Sequence, residues 1–169
     1  MAAARGEALV IGLGNPLMGD DGLGLTVLER LRGAWELPPD VLAVDGGTWG
    51  MNLLPLIESA DDVIILDAID SGAPSGTVTV LEGHDLPRYF AHKLSPHQID
   101  LREVLALTEL RGTLPTRLAA IGVQPDQVEM TTRLSESVGR AVTRVVELVV
   151  ERLERSGHHC TPRVEAAHA

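Results

Sequence analysis

Three polar side chains, far apart in the chain, sit where apolar segments end and could bind a cation or move a proton. They are Asp21 in "GLGNPLMGDDGLG" (12–24), Asp67 closing "VIILD" (63–67) and His97 in "KLSPHQID" (93–100). A glycine-rich turn after a first strand commonly cradles phosphate on backbone N–H groups. This one carries Asp20 and Asp21 and no lysine, so its charge suits a cation instead. Its glycines permit positive φ and close backbone approach. Of the adjacent aspartates, Asp20 is read as the cap of the helix opening near Gly22, leaving Asp21 to face the crevice. Asp67 follows a run of apolar residues, where a carboxylate is costly unless it is paired, ligated or solvated in a cleft.

His97 lies in a capping box, with Ser95 as N-cap, Pro96 at N1 and Gln98 at N3. That places its imidazole at the positive end of a helix dipole, which disfavours imidazolium. Neutral imidazole is the metal-binding form. Two carboxylates and one imidazole suit a divalent first-row ion and leave coordination positions open. The affinity order favours Ni²⁺ and Cu²⁺ over Mn²⁺ and Fe²⁺ without choosing among them. The three residues have no short-motif spacing, so the constellation depends on the fold bringing distant loops together. A further loop, "DGGTWGM" (45–51), offers Asp45, Gly46, Gly47 and Thr48 as a substrate-facing segment. No HExxH helix occurs, and Ser75 and Ser95 lie in no nucleophile elbow. His84 and His92 are read as surface residues. His158, His159 and Cys160 are read as incidental residues of a tail.

The elements that must position these groups alternate along the chain. Strands are expected at 8–13, 41–47, 62–69, 77–82 and 117–123, and helices at 22–33, 51–60, 100–110 and 132–157. "ALVIGL" and "DVIILDAI" are continuous apolar runs, the mark of strands covered on both faces. "TVTVLE" alternates and fits an edge. Strands alternating with helices imply an α/β domain with a mainly parallel sheet and helices on both faces. Ligands bind such folds at the carboxyl ends of the strands, which selects loops 14–22, 45–50 and 67–76. One domain is expected over 1–157, followed by a flexible tail at 158–169.

The composition narrows the partners. The 169 residues carry a net charge of −10, which is unsuited to a nucleic-acid phosphate surface. A hydrophobic share of 44% with only 2% aromatic requires an aliphatic core. A single cysteine excludes an intramolecular disulfide and a thiolate zinc cluster. No stretch approaches the ~20 apolar residues of a membrane span, and the opening residues lack a signal h-region. A soluble cytoplasmic protein with no membrane or nucleic-acid partner is the expectation.

The ordered set "GLGNPLMGDDGLG", "DGGTWGMNLL", "VIILDAID", "GTVTVLEGHDLP", "KLSPHQIDLREVLAL" and "AAIGVQP" resembles the hydrogenase maturation endopeptidases over residues 8 to about 155. The resemblance implies a three-layer, flavodoxin-like (phosphorylase/hydrolase-like) α/β fold. Its sheet would have five strands, mainly parallel, with 77–82 running against the others. It implies an aspartic-type or metal-dependent endopeptidase that removes the C-terminal extension of a nickel–iron hydrogenase large-subunit precursor once nickel is in place. Asp21, Asp67 and His97 would contact that metal, with Asp21 standing where members carry Glu or Asp. The nickel would arrive with the substrate, and no tightly held metal of the protein's own is expected. Two alternatives compete. A nickel-binding maturation chaperone would hold the metal without cleaving. A peptidyl-tRNA hydrolase also opens on "GLGNP", but −10 is the wrong charge for tRNA, and "LMGDDGLG" departs from its Thr-Arg-His-Asn type of continuation.

Overall fold

The computed structural model describes residues 6–47, 50–83, 85–86 and 96–164. In chain order the elements are β1 (Ala8–Leu13), α1 (Leu23–Ala34), β2 (Trp35–Glu36), β3 (Val41–Gly47), α2 (Leu54–Ser59), β4 (Asp62–Ala68), β5 (Val78–Glu82), α3 (Pro96–Leu110), β6 (Arg117–Val123), α4 (Glu136–Arg155) and β7 (Thr161–Pro162). Two 3-10 turns, Gly19–Gly22 and Gly50–Leu53, precede α1 and α2.

Five strands form one sheet in the order β3-β1-β4-β6-β5. The first four are parallel, and β5 runs antiparallel against β6 at the edge. The apolar runs explain the order. Every residue of β1 is buried, as are Val63 to Leu66 of β4, and these strands occupy the interior. Side chains alternate between faces. Val10, Ile64, Leu66 and Ile121 pack with α1 and α4, while Leu9, Ile11, Val63 and Ile65 pack with residues of α2 and α3. The stripe Val138, Val142, Val145, Val149 and Leu153 anchors α4 to its face. Each such side chain contributes about 1.5–3 kcal/mol of transfer free energy when fully buried.

Two expectations need correction. The last helix starts at Glu136, not 132, because Ser135 is its N-cap and residues 124–135 form a loop. The segment after Gly157 is not frayed as far as Val164. His158 and Cys160 are buried, and Cys160 belongs to the core packed by α1 and α4. His158 Nδ1 meets Asp40 Oδ2 at 3.0 Å. Thr161 and Pro162 pair antiparallel with Glu36 and Trp35, which gives a second, two-stranded sheet. The fold therefore extends past the expected boundary at 157.

Candidate active site

Strand register brings the loops of interest to one edge. Gly12 of β1 lies opposite Asp45 of β3 on one side and Leu66 of β4 on the other. With strands ~4.8 Å apart, the exits of β3 and β4 flank the exit of β1 at about 10 Å from each other. Asp67 is the next residue of β4. It is 4% exposed, and its Oδ1 accepts the backbone N–H of Ala68 at 2.9 Å. The first loop leaves β1 between these exits and returns over β4, against which the 3-10 turn carrying Asp21 packs. Asp21 is half-buried, and its Oδ2 accepts the N–H of Asn15 at 2.9 Å, folding the loop back on itself. Gly14 makes that possible. Its φ is +121°, and a Cβ there would lie 1.8 Å from the Asp21 carbonyl oxygen.

Gly24 sets the depth of the turn. A Cβ there would stand 2.3 Å from the Leu66 carbonyl and 2.4 Å from that of Leu13. With hydrogen in its place, the start of α1 sits directly on the ends of β1 and β4. That contact delivers Asp21 to the end of the strand that carries Asp67.

His97 belongs to the first turn of α3, which starts at Pro96 as the capping pattern predicts. Its side chain lies outside the described residues, as do those of Ser95, His84 and His92. The backbone nevertheless has a defined place. At the far end of α3, Arg111 and Thr113 bond Glu58 of α2, just before β4 begins. The C-terminus of α3 is thus at the amino edge of the sheet. At ~1.5 Å per residue its 15 residues span about 22 Å, the length of a strand here. Its N-terminus, with His97, therefore stands at the carboxyl edge with Asp21 and Asp67. Among the proposed substrate-loop residues, Asp45 is exposed and Gly46 buried, Gly47 pairs with Leu13, and Thr48 lies outside the described residues. Asp45 lines a cleft of about 440 Å³ with Pro16, Leu17, Thr26 and Glu29.

Asp20 is not the helix cap expected of it. Gly22 precedes α1, with no side-chain cap. The Asp20 carboxylate is fully buried and faces the opposite loop. Its Oδ2 accepts Asp126 N–H and Gln127 N–H at 2.8 Å each and the Ser135 hydroxyl at 2.8 Å, while Oδ1 accepts Ser135 N–H at 2.7 Å. Burial acts to raise its pKa. The backbone N–H groups of Gln127, Ser135 and Asp126, with the Ser135 hydroxyl, outweigh burial and hold the carboxyl below its ordinary value. The loop is tied further by Asp20 N–H to Gln127 O and by Gly19 N–H to Thr131 O, both 2.8 Å. The signal that marked Asp20 was the doubled aspartate. Its partners lie more than a hundred positions away, so no local pattern names them.

His158, His159 and Cys160 form no site. Asp40 precedes β3, so the His158–Asp40 contact belongs to the amino edge of the sheet. Burial, with Glu154 and Asp40 nearby, pushes the Cys160 thiol up to about 11. A neutral buried thiol is neither nucleophile nor ready ligand. No cluster of three or more His, Cys, Asp or Glu placed to hold a metal occurs among the described residues.

A family model for hydrogenase maturation protease (HycI) matches residues 25–152. The chain belongs to the hydrogenase maturation protease family. It is 38% identical over 162 residues to the hydrogenase 2 maturation protease of Escherichia coli, covering 95% of this chain and 98% of that one. It is 37% identical over 153 residues to the hydrogenase expression/formation protein HupD of Thiocapsa roseopersicina, covering 89% and 69%. The hydrogenase maturating endopeptidase HybD of E. coli superposes with a TM-score of 0.91 at 35% identity, covering 95% and 99%. Protease membership, the family fold and the antiparallel fifth strand thus agree with the sequence reading, and neither alternative gains support. No described helix is long and apolar enough to cross a membrane.

Proposed function

We propose that this protease removes the C-terminal extension of a nickel–iron hydrogenase large-subunit precursor after nickel insertion, and that Asp21, Asp67 and His97 recognise the nickel the precursor carries. The observation that carries this reading is the convergence at one sheet edge. The turn bearing Asp21 packs on the strand whose buried end is Asp67, and the N-terminus of the helix bearing His97 rises to the same edge. Two carboxylates and an imidazole fit a divalent first-row ion while leaving positions for the ion's existing ligands. The metal is then part of the substrate and serves as the licence for cleavage.

The chemistry left to the chain's own residues is orientation and proton transfer. Asn15 and Ala68 each donate a backbone N–H to one of the carboxylates and so limit its rotation. The lone cysteine is buried and neutral at the amino edge, so a thiolate is not the attacking group, and the reading takes water in that role. Either a carboxylate takes a proton from that water or the metal polarises the scissile carbonyl; both routes suit this donor set. Asp45 and its cleft lie beside the site and suit the extension being removed.

The test is cleavage of nickel-loaded and nickel-free precursor by the wild-type chain, Asp21→Asn and His97→Ala, read by mass spectrometry. Removal of the extension from loaded precursor by the wild type alone is expected. Equal cleavage of both precursors sinks the recognition role, and full activity of the variants sinks the site.

A further inference from the structure

We infer that Val128 and Met130, adjoining Leu17 at the lip of the cleft, form a preorganised docking platform for the folded body of the precursor, beside the cleft that takes its extension; this rests on the function proposed above. Leu17, Val128 and Met130 are 59%, 57% and 89% exposed. They belong to two loops joined by backbone pairing. Thr131 N–H donates to Leu17 O at 3.0 Å, and Met18 and Thr131 form a parallel bridge. Met18 and Thr131 are half-buried while their neighbours Leu17 and Met130 face water. Apolar side chains on adjacent rigid loops make a patch, and such patches mark interaction sites.

Three observations select the occupant. First, the patch is continuous with the candidate site, because Leu17 lies in the loop that carries Asp21 and also lines the cleft reaching Asp45. A substrate that enters the site passes over it. Second, Val128 and Met130 lie outside that cleft's lining, so a bound peptide end leaves them bare and only the body of a protein covers them. Third, the platform is held before binding. Four hydrogen bonds to the buried Asp20 carboxylate fix the loop from Asp126 to Ser135 on the loop from Leu17 to Asp21. Fixing an exposed loop in advance removes the ordering cost from association. A surface so held contributes to the encounter of enzyme and precursor and not to the chemical step, so its loss appears in KM.

The test measures kcat and KM for nickel-loaded precursor with the wild-type chain, Val128→Asp, Met130→Asp and the double variant. Because both side chains are exposed, an unchanged thermal midpoint is expected. The double variant is expected to raise KM at least tenfold with kcat within twofold of wild type. KM within twofold of wild type overturns the platform, as does a fall in kcat at unchanged KM, which would place these residues in the chemical machinery. Sedimentation velocity supplies the remaining arm: a wild-type dimer that the double variant dissolves, with KM unchanged, makes a second copy of the chain the occupant and overturns it too. The wild-type measurement alone reports on the proposed function. If the wild type cleaves no precursor, that reading falls and the platform with it, whereas the ratio of variant to wild type judges the platform by itself.

Discussion

Replacing Asp20 with Asn keeps the shape of the side chain and removes its charge, so it isolates the staple between the two loops. The structure sets the magnitude. Oδ2 accepts three donors and Oδ1 one. The less damaging orientation of Asn therefore puts its carbonyl at the Oδ2 position and its amide at Oδ1. Its NH₂ then faces the Ser135 N–H, leaving a buried donor unsatisfied at about 1–3 kcal/mol. The three remaining bonds lose charge assistance, at about 1 kcal/mol each. With partial relaxation the loss is about 3–5 kcal/mol, a large part of the ~5–15 kcal/mol typical of a domain. Urea denaturation followed by far-UV circular dichroism at pH 7 measures it. The pH dependence gives a second reading of the same group. The folded pKa of Asp20 is lowered, so its stabilisation is fully present above the unfolded carboxyl value near ~4 and is lost as pH falls through the folded value. The difference between wild type and Asp20→Asn should accordingly be constant from about pH 7 to 5 and shrink below about pH 4. A loss under about 1 kcal/mol, or a difference that persists undiminished into acid, would refute the staple.

Two further outcomes follow from the packing. Gly24→Ala drives a methyl group into the Leu13 and Leu66 carbonyls, so it should cost at least about 2–3 kcal/mol by urea denaturation and abolish precursor cleavage through displacement of the Asp21 turn; native stability with normal cleavage would show that the close seat of α1 is unnecessary. Cys160, buried with its thiol pushed up to about 11, should resist iodoacetamide in the native chain at about pH 8 and react once the chain is unfolded in guanidinium chloride; rapid labelling of native protein would mean that the tail is frayed after all.

What could be read from the sequence was whatever depends on near neighbours. The interior strands announce themselves because burial on both faces demands an unbroken apolar run, as in residues 8–13 and 63–66. The edge strand shows its position through the alternation of Thr and Val. The start of α3 was legible because proline at N1 and the serine-to-glutamine spacing act within a single turn. The failures share the opposite cause. Asp20 looked like a cap because the residues after it are helical, yet its donors at 126, 127 and 135 become neighbours only when the loop leaving β6 reaches across the end of β4 to the loop leaving β1. The same contact explains the misplaced start of α4. Ser135 gives its N–H and its hydroxyl to Asp20, so the chain is held extended there and the helix begins one residue later. "GHHCTPR" reads as a polar tail until Asp40 receives His158 and Trp35 offers a strand edge.

The adjacent aspartates therefore divide their work in an unexpected way. If Asp20 only capped α1, the opening loop would be a local structure and its orientation a matter for the first helix. As built, the carboxylate ties that loop to the connection between β6 and α4, on the far side of the central strand β4. Asp21 is then fixed from two directions, by Asn15 within its own loop and by a neighbour anchored through another strand. Under the function proposed above, Asp21 meets a cation that arrives with its ligands already attached, and it cannot rely on that ion to organise it. It must be positioned in advance, because displacement by about 1 Å is enough to lose a productive geometry. The four donors spent on a residue with no role in the chemistry are the structural means of holding its neighbour in place.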